Sequence, residues 1–449
     1  MFNKNLALFV DLYELTMAQT YFLKGKNEKA VFELFFRKLP PNRGYLICCG
    51  LKDVVDFLLN FHFEKEDLEF LKEKGFKKDF LKFLEKIKFN GNLWAIEEGE
   101  LVFPKEPIIR IETSIVEAQI LETILINIIS FESLIATKAS RIVKSAKGKP
   151  VVDFGSRRAQ GIDAGLKAAR ASYIGGCLGT SNVLAGKIYK IPIFGTMAHS
   201  FVQAFPNEKI AFKSWLEVWG ENTILLIDTY DTILGAKNAI FVCSEMGFKN
   251  LKGVRIDSGN KIELSKKVRQ ILNKNGFKNT KIFVSGSLDE YKIEEILRKK
   301  AKIDAFGVGT SLVTSDDAPF LDSCYKLVAI KEKGVFQPKL KIGEREKMTL
   351  PGIKQVFRIE KKGKFLKDVI GLANENLKGR KLLKEILRQG KLIYKFPSIF
   401  QTREKVKENL KKLSEKYQKI KNPSLYPVQI SLSLSKLTKF LQKEISKRY

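Results

Sequence analysis

Four residues of contrasting chemistry recur at one interval in the middle of the chain: His199, Asp228, Asp257 and Gly286 stand 29 residues apart. A neutral imidazole is a nucleophile and a base near pH 7. Paired carboxylates bind hydroxyls or a hard divalent cation, and glycine lets a backbone turn left-handed or approach a ligand closely. Histidine is scarce here, with 2 in 449 residues, so its use directly after the apolar run 191–197 asks for a reason. Taken singly, each residue has a bland reading as a core histidine, a helix cap or a turn. His62, in a Lys/Glu-rich stretch, keeps that reading.

The interval follows from the elements that must carry these groups. Short apolar runs occupy 150–154, 191–197, 223–227, 253–256, 281–284 and 303–308, and helix-like stretches fill 159–171, 234–246, 264–275 and 289–300. Such alternation predicts a parallel sheet with crossover helices. The ends of the runs read Asp153-Phe-Gly-Ser-Arg-Arg, Gly195-Thr-Met-Ala-His-Ser, Asp228-Thr-Tyr-Asp, Arg255-Ile-Asp-Ser-Gly, Ser285-Gly-Ser-Leu-Asp and Gly307-Val-Gly-Thr-Ser. In a parallel barrel the carboxyl ends of all strands open on one face, so these polar ends converge.

Arg157, Arg158 and Arg255 suit an anion, Asp228 and Asp257 suit hydroxyls or Mg²⁺, and the 307–311 turn offers backbone N–H groups and hydroxyls to a phosphate monoester. A sugar phosphate with Mg²⁺ fits such a mouth. The sequence has no GxxxxGK[ST] loop, so any ATP use is not of the P-loop kind.

Bulk properties bound the rest. The length exceeds the roughly 250 to 300 residues at which one core stops growing, so several domains are expected. The net charge is +30, of which residues 331–449 carry +21, with 32 Lys+Arg against 11 Asp+Glu. That excess reads mainly as a solvated lysine-rich face, since no zinc-finger or RRM signature accompanies it. The five cysteines form no CxxC pair, and neither a zinc site nor a disulfide framework is suggested. Asp11 and Glu14 interrupt the first apolar stretch, which argues against a secretory signal. Glu122 and Glu132 break the most apolar internal run, so no membrane span is expected. A cytoplasmic protein is the resulting expectation.

The ordered motifs closely resemble those of the nicotinate phosphoribosyltransferase family. The resemblance runs from Asp11 to about Arg358, through Asp11-Leu-Tyr-Glu-Leu-Thr-Met-Ala, Val31-Phe-Glu-Leu-Phe-Phe-Arg-Lys, Asp153-Phe-Gly-Ser-Arg-Arg-Ala-Gln-Gly, Gly179-Thr-Ser-Asn-Val-Leu-Ala-Gly, Gly195-Thr-Met-Ala-His-Ser, Leu226-Ile-Asp-Thr-Tyr-Asp-Thr, Val254-Arg-Ile-Asp-Ser-Gly, Phe306-Gly-Val-Gly-Thr and Lys354-Gln-Val-Phe-Arg. It implies the irregular TIM-like α/β barrel of the type II phosphoribosyltransferases, an N-terminal α/β domain completed by later chain, and a homodimer with active sites at the interface. The family resemblance carried by these motifs implies an N-terminal α/β domain over 1–115, an α/β barrel over 116–330, a return segment packing on the N-terminal domain over 331–400, and a basic helical ending over 401–449. It also implies a reaction. Nicotinate attacks C1 of 5-phosphoribosyl 1-pyrophosphate to give nicotinate mononucleotide and pyrophosphate, with Mg²⁺ on the pyrophosphate and ATP hydrolysis coupled through a phosphohistidine, in NAD salvage.

Residue by residue, the resemblance makes His199 the phosphorylated histidine. It sets Tyr13, from a neighbouring subunit, and Phe154 on the two faces of the pyridine ring, and puts Arg157 near its carboxylate. Arg255 with Asp257 clasps the ribose and its phosphate, Asp228 places ribose hydroxyls or metal, and Gly309 and Thr310 cradle the 5′-phosphate. Thr180, Ser200, Gly286 and Ser287 complete the expected substrate contacts. Ser181 stands where related nicotinamide enzymes have an aspartate, and a hydroxyl there does not repel nicotinate. Asn260 departs from the family's usual aspartate after Asp-Ser-Gly. Lys326 and Lys354 are candidate pyrophosphate contacts on charge alone. Beyond Arg358 no motif is matched, and 382–388 and 402–421 read as helical. The competing readings are a nicotinamide or quinolinate phosphoribosyltransferase of the same fold and, from another class, a basic nucleic-acid-binding protein.

Overall fold

The computed structural model describes residues 6–343 and 349–447. The chain divides into two compact units, one built from residues up to Leu134 together with those from Phe320 onward, the other from Ile135–Pro319. The boundaries therefore fall at 134/135 and 319/320, not at the 115/116 and 330/331 expected from sequence. The later boundary moves because strand Ser323–Glu332 pairs antiparallel with Lys29–Phe36 and so joins the first unit.

The first unit is layered on a seven-stranded sheet. Its order is Val335–Pro338, Ser323–Glu332, Lys29–Phe36, Ile109–Ser114, Asn92–Ile96, Leu383–Arg388 and Lys391–Leu392. Phe32, Leu34 and Phe36 alternate into a core completed by the amphipathic helices Leu51–Leu59 and Lys78–Lys86, as period-2 strands and period-3.6 helices require. Later chain supplies both an edge of this sheet and a second sheet of four strands, 380–381, 354–361, 364–372 and 428–430. Residues 382–388, read as helical, form a strand instead: Leu383, Ile386 and Leu387 are buried on pairing with Asn92–Ile96. In the ending, helices cover Ile399–Lys412 and Leu432–Ser446.

Buried charge ties this late chain to the early part. Arg358, wholly buried, donates to Asp368 at 2.6 Å, to Glu100 at 3.2 Å and to the Leu101 carbonyl at 2.6 Å, and its guanidinium lies over the Phe103 and Phe365 rings. Lys354 is spent in the same way. Its ammonium sits 2.9 Å from Glu33 and donates to the carbonyls of Leu350 and Gly352. Buried, and held by an ion pair and two carbonyls, the ammonium is not placed to contact a pyrophosphate.

The second unit is the parallel barrel. Six strands lie in the order Gly179–Thr180, Val151–Asp153, Ala305–Val308, Lys281–Val284, Gly253–Ile256 and Ile224–Leu226, every neighbouring pair parallel. Helices Ile162–Ile174, Thr232–Glu245, Lys261–Lys274 and Glu290–Arg298 alternate with them. The 191–197 run, expected as a strand, makes only a bridge from Ile193 to Thr180. Pro192 has no N–H to give to a ladder, although its carbonyl accepts from Thr180. Among the described residues no backbone ladder joins this run to Ile224–Leu226. Side chains close the ring instead, through Arg255 to Thr196 at 2.8 Å and His199 to Thr229 at 3.2 Å. Helix Glu122–Ser145 is long and apolar enough to cross a membrane, but 67% of its apolar window is buried, and it carries the buried charges Glu132, Lys138 and Arg141.

Candidate active site

The polar site grows from one carboxylate. Asp228 follows strand Ile224–Leu226 and is 8% exposed. Its Oδ2 accepts from the backbone N–H groups of Asp257 (2.9 Å) and Ser258 (2.7 Å) and from the Ser258 hydroxyl (2.7 Å). The neighbouring Thr229 meets His199 Nδ1. On the far side the Ser285 hydroxyl donates to Asp257 Oδ1. Loops from three successive strands and the 191–197 run are thereby joined in one chain of hydrogen bonds, and the residues 29 apart become spatial neighbours.

Two glycines set the spacing of that chain. At Gly286, with φ +81°, an added Cβ would stand 2.1 Å from the Asp257 carbonyl oxygen. At Gly307 it would stand 2.7 Å from the Phe154 ring, so the missing side chain is what lets that ring lie across the strand. Ser287 also takes a left-handed conformation, φ +52°, unusual for a residue with a Cβ.

A cavity of about 450 Å³ opens here, walled by Phe154, Arg157, Arg158, Asp257, the 285–289 turn, Lys292, Gly307 and the 309–311 turn. No described group accepts the N–H of Gly286, Ser287, Gly309 or Thr310. Turned peptide N–H groups beside three cations make an anion cradle. Of the expected site residues, Phe154, Arg157, Asp257, Gly286, Ser287, Gly309 and Thr310 wall this cavity. His199, Asp228 and Arg255 reach it through Asp257 and its neighbours, and Ser200 follows His199 on the exposed surface of helix His199–Gln203.

Thr180 is placed differently. It is fully buried, its hydroxyl donates to Asp153 Oδ2 at 2.7 Å and accepts from Asn182 N–H, so it holds the wall instead of facing a ligand. Ser181 donates its N–H to the Asp153 carbonyl. Asp153 also accepts from Gly155 N–H at 2.8 Å; burial pushes its pKa up to about 6 against the pull of these two bonds. Tyr13 belongs to the first unit, half exposed on helix Leu12–Leu23. Lys326 meets Glu122 at 3.4 Å.

Electrostatics concentrate on the two aspartates. Burial lowers the pKa of Arg255 while Asp257 and Asp228 raise it, and the same balance holds at Lys261, which Lys292 lowers further. Beside the cavity, Asp228 Oδ1 and Arg255 Nε are among the buried polar atoms without a hydrogen-bond partner. At the rim of a polar cavity such atoms leave hydrogen-bonding capacity that a ligand can use. The oxygen donors of Asp228 and Asp257 fit a hard cation such as Mg²⁺. Asn260 is the cap of helix Lys261–Lys274, accepting from Ile262 and Glu263 N–H, a task that asks for an oxygen and not for a charge.

Sequence reasoning missed several site residues. Thr196, Ser258 and Ser285 lie inside the strand-end motifs, whereas Lys292 and Asp316 carry no local signal and are brought to the cavity by the fold alone.

Fold and site together define a parallel α/β-barrel protein whose strand ends converge on a cavity lined by cations, carboxylates and turned peptide N–H groups. Models of the nicotinate phosphoribosyltransferase N-terminal domain, family and C-terminal domain match residues 8–130, 150–369 and 373–438. The chain belongs to the nicotinate phosphoribosyltransferase family. The last match covers a stretch in which sequence reading found no motif. The chain is 44% identical over 429 residues, 95% of its length and 91% of the relative's, to nicotinate phosphoribosyltransferase pncB2 of Mycobacterium tuberculosis. It is 41% identical to the Bacillus subtilis nicotinate phosphoribosyltransferase over 96% of its length and 94% of the relative's. Among solved structures, human nicotinic acid phosphoribosyltransferase superposes with TM-score 0.86 at 28% identity, covering 96% of this chain and 99% of the human one.

Proposed function

We propose that this chain joins nicotinate to C1 of 5-phosphoribosyl 1-pyrophosphate, forming nicotinate mononucleotide and pyrophosphate for NAD salvage. The observation that carries this reading is the meeting, at one cavity, of two turns of unpaired backbone N–H groups with Arg157 and Asp257. The turns receive phosphate oxygens and Arg157 receives the carboxylate of the base, which selects nicotinate over its neutral amide. Ser181 adds no opposing charge. Phe154 forms one face of the pyridine slot. Asp228 and Asp257 orient the ribose hydroxyls and would hold Mg²⁺, which neutralises charge on the departing pyrophosphate.

In this reading ATP phosphorylates His199. The bond formed is from an imidazole nitrogen to the γ-phosphorus, the bond broken is to the β,γ-bridging oxygen, and ADP departs; water later returns the imidazole and releases phosphate. Thr229, on Nδ1, fixes the ring and leaves Nε2 as the nucleophile. Radiolabelled ATP tests this: wild type incorporates phosphate, and equal labelling of His199→Ala would overturn the assignment. Mononucleotide formation with and without ATP, with nicotinamide and quinolinate as competitors, tests the reaction itself.

The proposal extends to a homodimer in which Tyr13 of a second copy closes the pyridine slot opposite Phe154. Support comes from Val183, Leu184, Ile188 and Ile193, large apolar residues exposed on and beside helix Val183–Tyr189, a patch of the kind that subunits cover. Mixing Tyr13→Ala with His199→Ala protein tests it, since hybrid dimers regain one intact site. The five buried cysteines, none of them in a disulfide, suit the reducing cytoplasm in which we place the enzyme.

A further inference from the structure

The two turns that make the anion cradle follow neighbouring strands, Lys281–Val284 and Ala305–Val308, yet each is anchored from below by the same ammonium group. Lys138, on helix Glu122–Ser145, is 1% exposed at its side chain; its Nζ lies 2.6 Å from Glu290 Oε2 and 2.8 Å from Asp317 Oδ1. Glu290 is fully buried, opens the helix that follows the 285–289 turn, and is held a second time by Arg141 Nε at 3.0 Å. Asp316 and Asp317 lie in the turn just after the short helix Thr310–Thr314, which the 309–311 segment opens. Asp316 stands 3.6 Å from the same ammonium, accepts the Ser311 hydroxyl at 2.8 Å, and lines the cavity with Ser311.

A buried charge triad costs desolvation and is a poor source of net stability. What it does supply is a fixed distance, because a compact buried ammonium must keep the carboxylates paired with it in close contact. We propose that Lys138 is a positioning residue for the phosphorylated substrate: by gripping Glu290 and Asp317 together it sets the gap between the 286–287 and 309–311 N–H groups. It touches no substrate. Breaking the grip lets the two turns drift, which weakens phosphate binding while leaving the base slot intact.

This inference rests on the phosphoribosyl-donor reading above, and the test separates the two. Full-length protein is assayed with 5-phosphoribosyl 1-pyrophosphate varied at saturating nicotinate, and the reverse. Lys138→Met and Asp317→Asn are expected to raise the donor KM roughly tenfold, with kcat and nicotinate KM within about twofold. Lys138→Arg, which keeps the charge and the donors, recovers most of the loss. If Lys138→Met fails to fold because Glu290 is left buried and less compensated, Asp317→Asn, whose side chain is 27% exposed, decides. Variants that lower Tm yet leave the donor KM unmoved, or that raise both KM values alike, overturn the positioning role. A wild type that makes no mononucleotide overturns the functional reading itself.

Discussion

The carboxylate of Asp228 accepts the backbone N–H of Asp257 at 2.9 Å, so one strand-end aspartate holds the peptide that carries the other. Replacing Asp228 with alanine leaves the N–H groups of Asp257 and Ser258 without their acceptor. We expect kcat/KM to fall by about 10²-fold or more, with a stability cost of about 1 to 3 kcal/mol. Steady-state kinetics alongside thermal unfolding check it; a large Tm loss with near-normal turnover of the folded fraction would contradict the assignment.

Thr229 acts on His199 by orientation. Thr229→Val keeps the shape and removes the hydroxyl that meets Nδ1. The rate of phosphate incorporation from ATP should drop roughly 3- to 10-fold, while KM for nicotinate stays put. Quench-flow labelling measures the first and initial rates the second.

Two glycine substitutions should separate by what they strike. Gly307→Ala places a methyl 2.7 Å from the Phe154 ring, a side chain that can swing, so the expected effect is a raised nicotinate KM in a folded protein. Gly286→Ala strikes a backbone oxygen at 2.1 Å and adds left-handed strain at φ +81°, so the expected effect is lower stability, by about 1 to 3 kcal/mol or more. Calorimetry and nicotinate titration distinguish the two.

Glu14 gives a pH dependence. Burial raises its pKa from 4.5 to about 7, opposed by the Thr123 side-chain hydrogen bond and assisted by the charges of Glu122 and Asp11. The folded state holds this proton more tightly than the unfolded chain does. Its contribution to stability is therefore complete below pH 4.5 and is lost as pH rises to about 7. Glu14→Gln should flatten the stability curve across that window, measured by denaturant unfolding at a series of pH values. A curve as steep as that of wild type would rule Glu14 out as the titrating group.

The barrel was legible because it is local. Strands 253–256 and 281–284 begin and end where the apolar runs do, and the convergence of His199, Asp228 and Asp257 follows from a rule about strand ends. The first unit was less so. Residues 382–388 read as helix because their partner, Asn92–Ile96, lies nearly 300 positions earlier, and such pairing leaves no periodic trace nearby. Thr180 shows the limit within a motif: the pattern that names it cannot tell a hydroxyl facing a ligand from one turned onto Asp153. Lys138 shows it across motifs, since its acceptors come from two distant turns.

The interior strand Lys29–Phe36 has Ile109–Ser114 on one side and Ser323–Glu332 on the other. During synthesis, at roughly 5 to 20 residues per second, it emerges early and waits with one edge bare until the whole barrel has left the ribosome. The barrel's own strands all arrive in that interval, so each of them is available for pairing before the strand that covers this edge has been made.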